Sequence, residues 1–162
     1  PTFFVKNAHF DIGEAGLLLG LFYLAGAFGS ITLGALSDRF QRKSVILASG
    51  VLAAATTLLL LFTTYTFYHA LGYVIIFGFL ILPYWNLFVT IAQESVTKEL
   101  VSSATGLIQT FGLIGCALGP VVAGSLITNI GLPLSLTFTI TFTTVAYSLI
   151  SLLIVEKQLL KN

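Results

Sequence analysis

The chain has 162 residues, of which 57% are hydrophobic and only 8% are charged, and its mean hydropathy is +1.03. Soluble domains have about 25% charged residues, so this composition excludes an ordinary soluble fold and is typical of a polytopic membrane protein. The net charge of +1 gives no reason to expect a nucleic-acid partner, and the single cysteine cannot form a disulfide within the chain.

The charged residues fall into groups that are separated by long uncharged runs. The run 44–93 has 50 residues, and the run 100–155 has 56. A membrane-spanning helix needs about 20 apolar residues, so each run predicts two spans joined by a short turn. Strands are excluded because an open sheet edge leaves backbone groups unsatisfied in lipid. We therefore predict an all-α, polytopic transmembrane helix bundle that forms one partial domain over 1–162. Its spans are expected at about 13–37, 44–63, 69–93, 103–128 and 132–155.

The first predicted span carries small residues that are spaced four apart. Such spacing lets two helix backbones approach closely in a membrane, so we expect this stripe to pack on another helix. Tyr23 lies in the same span and is a weaker candidate for lining a substrate cavity. The small pairs are Gly16/Gly20, Gly26/Ser30 and Ser30/Gly34.

The densest group of charges follows the first span, and it predicts a loop at the membrane surface. The stretch resembles the loop signature of the major facilitator superfamily, Gly-x-x-x-Asp-Arg/Lys-x-Gly-Arg/Lys-Arg/Lys, which joins the second and third helices of each six-helix half. It departs from the signature at Gln41, where the family has glycine. The matching residues are Gly34, Asp38, Arg39, Arg42 and Lys43.

This stretch has a mechanistic interpretation. Asp38 could cap the positive N-terminus of a neighbouring helix. Arg39 or Arg42 could pair with Glu94 or Glu99 at the cytoplasmic end of the third span. The resemblance implies that such contacts lock the cytoplasmic side while the transporter is open to the outside. In the alternative interpretation, the loop only sets the topology.

The third span contains Pro83 near its middle, which predicts a kink because proline removes a backbone hydrogen bond. Polar and aromatic residues at mid-depth are candidates for lining a substrate cavity, and the resemblance implies that helices eight, ten and eleven line it. In the alternative interpretation these residues pack or hydrogen-bond between helices. The candidates are Tyr84, Trp85, Asn86 and Gln109.

The fourth span is rich in glycine and is expected to be a bent helix with a smooth, closely packed surface. Its sequence is similar to the Gly-x-x-x-Gly-Pro-x-x-Gly-Gly element in the fifth helix of antiporters of the same superfamily, and departs from it at Ala123. A looser Gly-Pro version is common in the eleventh helix. Cys116 is expected to be a small buried hydrophobic residue. The matching residues are Gly115, Gly119, Pro120 and Gly124.

The fifth span is rich in threonine and has no glycine after Gly131. Threonine hydroxyls can bond to carbonyls of their own helix, so this span needs no polar partner. We therefore expect it at the periphery of the bundle.

The basic residues predict the orientation. With five spans, six bases lie on one side of the membrane and Lys6 alone lies on the other. Cytoplasmic loops carry the excess of Lys and Arg. We therefore expect an integral, multi-pass protein of a cell (inner) membrane, with its C-terminus in the cytoplasm. The six bases are Arg39, Arg42, Lys43, Lys98, Lys157 and Lys161.

The resemblance covers the whole chain and matches one six-helix half without its first helix. We expect a fragment, because the chain contains no methionine and starts at Pro1. The third span lacks the arginine that the fourth helix of N-terminal halves often carries in this family, and the chain stops after a short charged tail, 156–162. Both points favour the C-terminal half, helices eight to twelve.

The resemblance implies a secondary active transporter that moves a small solute across the membrane by alternating access. Its partners would be the lipid bilayer, the missing half of the transporter and the small-molecule substrate. We expect no enzyme activity, cofactor or metal, because the sequence has no catalytic or metal-ligating cluster.

Two alternatives stay open. The chain could be the N-terminal half of a drug/proton antiporter of the same family, or a non-transporting membrane scaffold or receptor-like protein. The lining of the cavity would discriminate, because a scaffold could fill the space around Trp85 and Gln109 with apolar side chains.

Overall fold

The computed structural model describes residues 4–5, 8–60, 66–131, 134 and 139–146, and most of these residues are helical. Within these ranges there is no strand, and the residues 139–146 are also helical. A single 3₁₀ turn precedes the last long helix. The elements are α1 (Ile12–Arg39), α2 (Arg42–Leu60), α3 (Phe67–Ile81), α4 (Pro83–Ser95), the 3₁₀ turn (Lys98–Leu100) and α5 (Val101–Ile130).

Three stretches of the described residues are long and apolar enough to cross a membrane, namely Ile12–Arg39, Phe67–Ser95 and Lys98–Asn129. They coincide with the first, third and fourth predicted spans, which confirms the all-α membrane fold. The second predicted span corresponds to α2, and the end of that span lies outside the described residues. Most of the fifth predicted span, 132–155, also lies outside them.

The turn between α1 and α2 is shorter than the sequence suggests. A capping box starts α1: the Gly13 N–H donates to Asp11 (3.2 Å), and the Asp11 N–H donates to Glu14 (3.0 Å). The helix then continues for 28 residues to Arg39. The expected loop is therefore mostly helical, and only Phe40 and Gln41 separate the two helices. A helix of this length measures about 42 Å and extends beyond a hydrocarbon core of about 30 Å, so its charged end can stay helical outside the membrane.

The helix of the third predicted span is interrupted where proline predicts it. Pro83 is the first residue of α4, and Leu82 between α3 and α4 keeps helical dihedral angles (φ −64°, ψ −33°). The Leu82 N–H still donates to the Gly78 carbonyl at 3.2 Å. The interruption therefore lies within one continuous span, Phe67–Ser95, and does not create a loop.

Glycines bring α1 and α3 into direct backbone contact. A Cβ atom at Gly29 would overlap the Phe79 carbonyl oxygen, and one at Gly78 would overlap the Phe22 carbonyl oxygen. Gly26 likewise lies against the Leu82 side chain. The close approach therefore uses glycines on the α3-facing side of α1. The predicted pairs that include Gly16, Gly20 and Gly34 do not make it, because a Cβ at each of these three would have no atom within 4 Å.

The buried side chains form clusters between α1, α2, α3 and α4. One cluster joins α1, α2 and α4 near the α1–α2 turn, and another packs Ile140 against Phe77 and Leu80 of α3. Thr144 is only 1% exposed, and its hydroxyl donates to the Ile140 carbonyl of its own helix (2.9 Å). The segment 139–146 therefore contacts the core with one face, whereas Phe142 is 63% exposed, and the peripheral position of the fifth span stays a prediction. The satisfied hydroxyl allows Thr144 to be buried.

Candidate functional site

A charged cluster joins three helices at one end of the bundle, with Arg42 at its centre. The Arg42 guanidinium donates from Nε to Oε2 of Glu94 (2.8 Å) and from Nη2 to Oε1 of Glu94 (2.6 Å). It also donates from Nη1 to Ser37 Oγ (3.0 Å), and its Nη2 lies 3.0 Å from Asp38 Oδ1. Ser37 and Asp38 belong to α1, Arg42 starts α2, and Glu94 lies at the end of α4. The cluster therefore ties the α1–α2 turn to α4.

The electrostatics of this cluster favour a permanently charged arginine. The hydrogen bond with Glu94, followed by the charges of Glu94 and Asp38, raises the pKa of Arg42 above its ordinary value, although partial burial opposes the shift. The Arg42 side chain is 19% exposed, whereas Asp38 is 65% exposed and Glu94 54%. Bidentate arginine–carboxylate geometry is more specific than an ordinary surface ion pair. The contact is thus directional, and water can reach its acidic side.

The structure decides among the partners that the sequence left open. Arg42 pairs with Glu94, and Asp38 lies in the last turn of α1 with Arg42 as its ion-pair partner. Gly34 lies one turn earlier, and its carbonyl accepts the Ser37 hydroxyl at 2.7 Å. Arg39 is exposed at the last position of α1. Ser37, which the sequence did not single out, completes the cluster. It is 2% exposed, and a small residue beside an acid carries no signal of such a role.

A second group of polar side chains lies deeper, between α1, α4 and α5. Asn86 of α4 donates from Nδ2 to Ser30 Oγ of α1 at 3.4 Å. On the neighbouring position of α4, the Trp85 ring rests against Gly112 of α5, where a Cβ atom would overlap the ring. Trp85 is 40% exposed, and Asn86 is also exposed. These two consecutive residues therefore connect α4 to helices on either side of it.

Gln109 lies on the side of α5 that faces α4. Thr105 and Gly112 both contact α4, since Gln93 Nε2 donates to Thr105 Oγ1 at 3.0 Å and Gly112 lies under Trp85. Residues 105, 109 and 112 follow the i, i+4, i+7 spacing of one helix face. The side chain of Gln109 is exposed on this face. Tyr23, 59% exposed, shares a face with Ser30 in the same way, because the two residues are seven apart.

The polar residues of the three helices lie at one depth. Ser30 is nine residues before the end of α1, Asn86 is nine residues before the end of α4, and Gln109 is eight residues after the start of α5. The charged cluster shows that α1 and α4 end on the same side of the bundle. At a rise of 1.5 Å per residue, each side chain lies about 12–14 Å from that side. Because the charged end of α1 extends beyond the hydrocarbon core, the three side chains lie less deep than this in the membrane, and what they share is their distance from the same end of the bundle.

Tyr84 occupies a different position from the other cavity candidates. It is 5% exposed and lies in the core cluster with Leu33, Val45 and Ile46. Its hydroxyl donates to the Ile46 carbonyl at 3.0 Å, which satisfies the buried polar group. The structure therefore places Tyr84 in the packing between α2 and α4. Trp85 and Asn86, the next two residues, instead belong to the polar group between α1, α4 and α5.

The glycine-rich part of α5 is open in the described structure. A Cβ atom at Gly115, Gly119 or Gly124 would have no atom within 4 Å, and Pro120 lies inside the helix without ending it. Cys116 is exposed, so the expectation that it is buried is wrong for this part of the chain. The physical reason is that the described contacts of α5 are mainly with α4, near the start of α5. The sequence alone could not show which small face was covered.

Comparisons with known proteins agree with one another. A family model described as Major Facilitator Superfamily matches residues 1–161. The glucose-6-phosphate exchanger SLC37A1 of Homo sapiens is 28% identical over 136 residues, which cover 78% of this chain and 26% of the relative. The uncharacterized MFS-type transporter YfnC of Bacillus subtilis (strain 168) is 30% identical over 132 residues, which cover 81% of this chain and 32% of the relative. The glucose-6-phosphate exchanger SLC37A2 of Xenopus laevis is 30% identical over 137 residues, which cover 78% of this chain and 27% of the relative.

The chain thus spans about a quarter to a third of the length of these curated relatives. No solved structure was found to match it. The matched region includes both the charged cluster and the deeper polar residues.

Proposed function

The chain belongs to the major facilitator superfamily, a family of integral membrane transporters, and from this premise we propose that it forms the C-terminal part, helices eight to twelve, of a secondary transporter. The transporter moves a small solute by alternating access between two halves. In such folds the substrate lies near the middle of the membrane, at the interface of the halves. The partner of this chain is therefore the other half of the transporter, within the lipid bilayer.

One observation carries the proposal, which is the common depth of three polar residues, of which Asn86 and Gln109 are exposed and Ser30 is half-buried. Ser30, Asn86 and Gln109 come from three different helices and lie about 12–14 Å from the same side. A polar side chain inside a membrane is costly unless it faces a partner or a water-filled cavity. A scaffold protein would have no reason to keep exposed amides at this level. The arrangement supports one wall of a substrate cavity.

The charged cluster supports a conformational switch on the cytoplasmic side. Arg42 holds both Asp38 and Glu94, and so links the α1–α2 turn to the end of α4. The excess of bases on this side favours a cytoplasmic location for the cluster and for the C-terminus, in a cell (inner) membrane. Contacts of this kind can close the cytoplasmic side in one state and break in the other. The alternating-access cycle provides the reason to break them.

The switch has a direct test in the full-length transporter. Asp38→Asn removes one charge from the Arg42 cluster and leaves the turn basic, so insertion and orientation should not change. We expect a lower transport rate at an unchanged amount of protein in the membrane. Transport at the wild-type rate would show that the turn is only a topology signal.

The relatives suggest which substrate to test first. Two of the matching proteins are named as glucose-6-phosphate exchangers, so a sugar phosphate is the substrate class that we propose. The test is uptake of labelled glucose 6-phosphate by liposomes that contain the full-length transporter and are loaded with inorganic phosphate. Saturable uptake that depends on internal phosphate supports exchange, and uptake no greater than in empty liposomes contradicts this substrate class.

The N-terminal half of a drug/proton antiporter is the second candidate. The glycine-proline element from Gly115 to Gly124 favours it. The uncharged third span favours the C-terminal half, because the resembling N-terminal halves often carry an arginine there. Proton-coupled efflux of a cationic dye by the full-length transporter, with no exchange of sugar phosphate, would support the second candidate.

A further inference from the structure

We infer that the polar side chains between α1, α4 and α5 bind the uncharged, hydroxyl-bearing part of the substrate, and that the phosphate group is held by residues outside this wall. This inference rests on the proposed function as an exchanger of sugar phosphates. It assigns different parts of one substrate to different parts of the transporter. The residues that carry it are Tyr23, Ser30, Trp85, Asn86 and Gln109.

The chemistry of these side chains suits hydroxyl groups. Carboxamides such as those of Asn86 and Gln109 have two N–H donors and an accepting oxygen, and hydroxyls both donate and accept. A sugar hydroxyl also donates and accepts, so each of these groups can bond to it in either direction. The indole of Trp85 adds an apolar face and one N–H donor. The set therefore offers several neutral hydrogen bonds beside an aromatic surface.

The geometry leaves hydrogen-bonding capacity for a ligand. The Ser30 hydroxyl donates to the Gly26 carbonyl at 2.9 Å, while its contact with Asn86 Nδ2 is long, at 3.4 Å. Within the described part of the chain, this long contact is the hydrogen bond of the Asn86 side chain, and Asn86 is exposed, so its oxygen and second N–H are available to a ligand. The Trp85 ring rests on Gly112 and is 40% exposed, so its free face is open to a ligand.

The distribution of charge separates this wall from a phosphate site. The runs 44–93 and 100–155, which contain Trp85, Asn86 and Gln109, carry no charged residue. Ser30 and Tyr23 lie between Glu14 and Asp38 in another uncharged stretch. Phosphate is bound in proteins by bidentate guanidinium groups and by ammonium groups. The chemistry present on this wall matches the sugar moiety, and the complementary cations belong to a facing wall.

The transport test compares two substrates in the full-length transporter. The Michaelis constants for glucose 6-phosphate and for inorganic phosphate are measured in liposomes, and their ratio is compared between variants. Asn86→Ala and Gln109→Ala should each raise this ratio about fivefold, the effect of one neutral hydrogen bond. Asn129→Ala is the matched control. Asn129 donates from Nδ2 to the Ser125 carbonyl of its own helix at 2.8 Å, and it lies far from the wall. If the ratio of the two Michaelis constants is unchanged in both Asn86→Ala and Gln109→Ala, the inference is overturned. A rise of both Michaelis constants by the same factor leaves the ratio unchanged and therefore also overturns it.

The labelling test does not require transport. Gln109→Cys, in a Cys116→Ala background, should react with a water-soluble maleimide if position 109 faces an aqueous cavity. Glucose 6-phosphate should slow this reaction, and the same concentration of inorganic phosphate should not. Equal protection by both, or no reaction at all, would refute the assignment. Failure of exchange with selective protection would instead count against the proposed exchanger and leave the inference standing.

Discussion

Replacing Gly29 by alanine is expected to destabilise the bundle, whereas the same replacement at Gly20 is expected to be tolerated. Both glycines lie in α1, so the change in helix propensity is the same for the two variants and cancels in their comparison. A Cβ atom at Gly29 would overlap the carbonyl oxygen of Phe79 and lie 2.9 Å from its carbonyl carbon. A Cβ atom at Gly20 would have no atom within 4 Å.

The magnitude follows from this geometry. Ordinary contacts of a Cβ atom begin at 3.4 Å, so the carbonyl carbon of Phe79 alone requires α1 and α3 to separate by about 0.5 Å, and its overlapping carbonyl oxygen requires a larger shift. The obstructing atoms belong to the backbone and cannot turn aside, as a flexible side chain could. Overpacking of this kind costs about 1–3 kcal/mol. A difference of about 2 kcal/mol corresponds to roughly 4–8 °C in Tm for a protein of 150–250 residues, and to less for a longer one.

The assay heats the full-length protein in detergent and measures, at each temperature, the fraction of the protein that remains monodisperse. We expect Gly29→Ala to melt several degrees below Gly20→Ala, and Gly20→Ala to melt near the wild type. Equal Tm values for the two alanine variants would refute the close backbone contact between α1 and α3. A lower Tm for Gly20→Ala alone would show that the tight face of α1 is the other one.

Three further predictions concern the switch, the topology and the isolated chain. Glu94→Gln should shift the equilibrium between the closed and the open cytoplasmic side by about 1 kcal/mol, or about fivefold, toward the open state. Arg42→Gln should shift this equilibrium further, because two carboxylates then lose their partner. The measurement is the rate at which a cysteine in the cavity is labelled from the cytoplasmic side, and equal rates in the two variants would contradict this order. Cysteines at Gln41 and His69, in a Cys116→Ala background, should react with impermeant reagents from opposite sides, and labelling of the Gln41 position from outside intact cells would reverse the orientation. The 162-residue chain alone should insert into liposomes but take up no labelled solute, because it supplies only part of a cavity, and saturable uptake would show that it is complete by itself.

The charged stretch illustrates how far local pattern reaches. Its match to a family signature identified the family, and the placement of charges predicted that Arg39 or Arg42 pairs with Glu94 or Glu99. In the structure Arg42 pairs with Glu94, which is 52 residues away. The pattern did not show that most of the stretch is helical, since surface charges are compatible with a loop and with a helix that extends beyond the membrane. It also could not choose Glu94 over Glu99, because both lie at the same end of the third span. That choice depends on how α4 crosses the start of α2.

The membrane fold and the family were determined by the sequence itself. Uncharged runs of sufficient length allow only helices in lipid, and proline at position 83 marks the interruption between α3 and α4 through its missing N–H. The tertiary structure decided which side chains meet. Tyr84 and Trp85 are adjacent and similar in character, yet one is buried against Ile46 and the other lies on Gly112. Successive residues on a helix point about 100° apart, so the position of the neighbouring helices, and not the residue type, determines which of them can face a substrate.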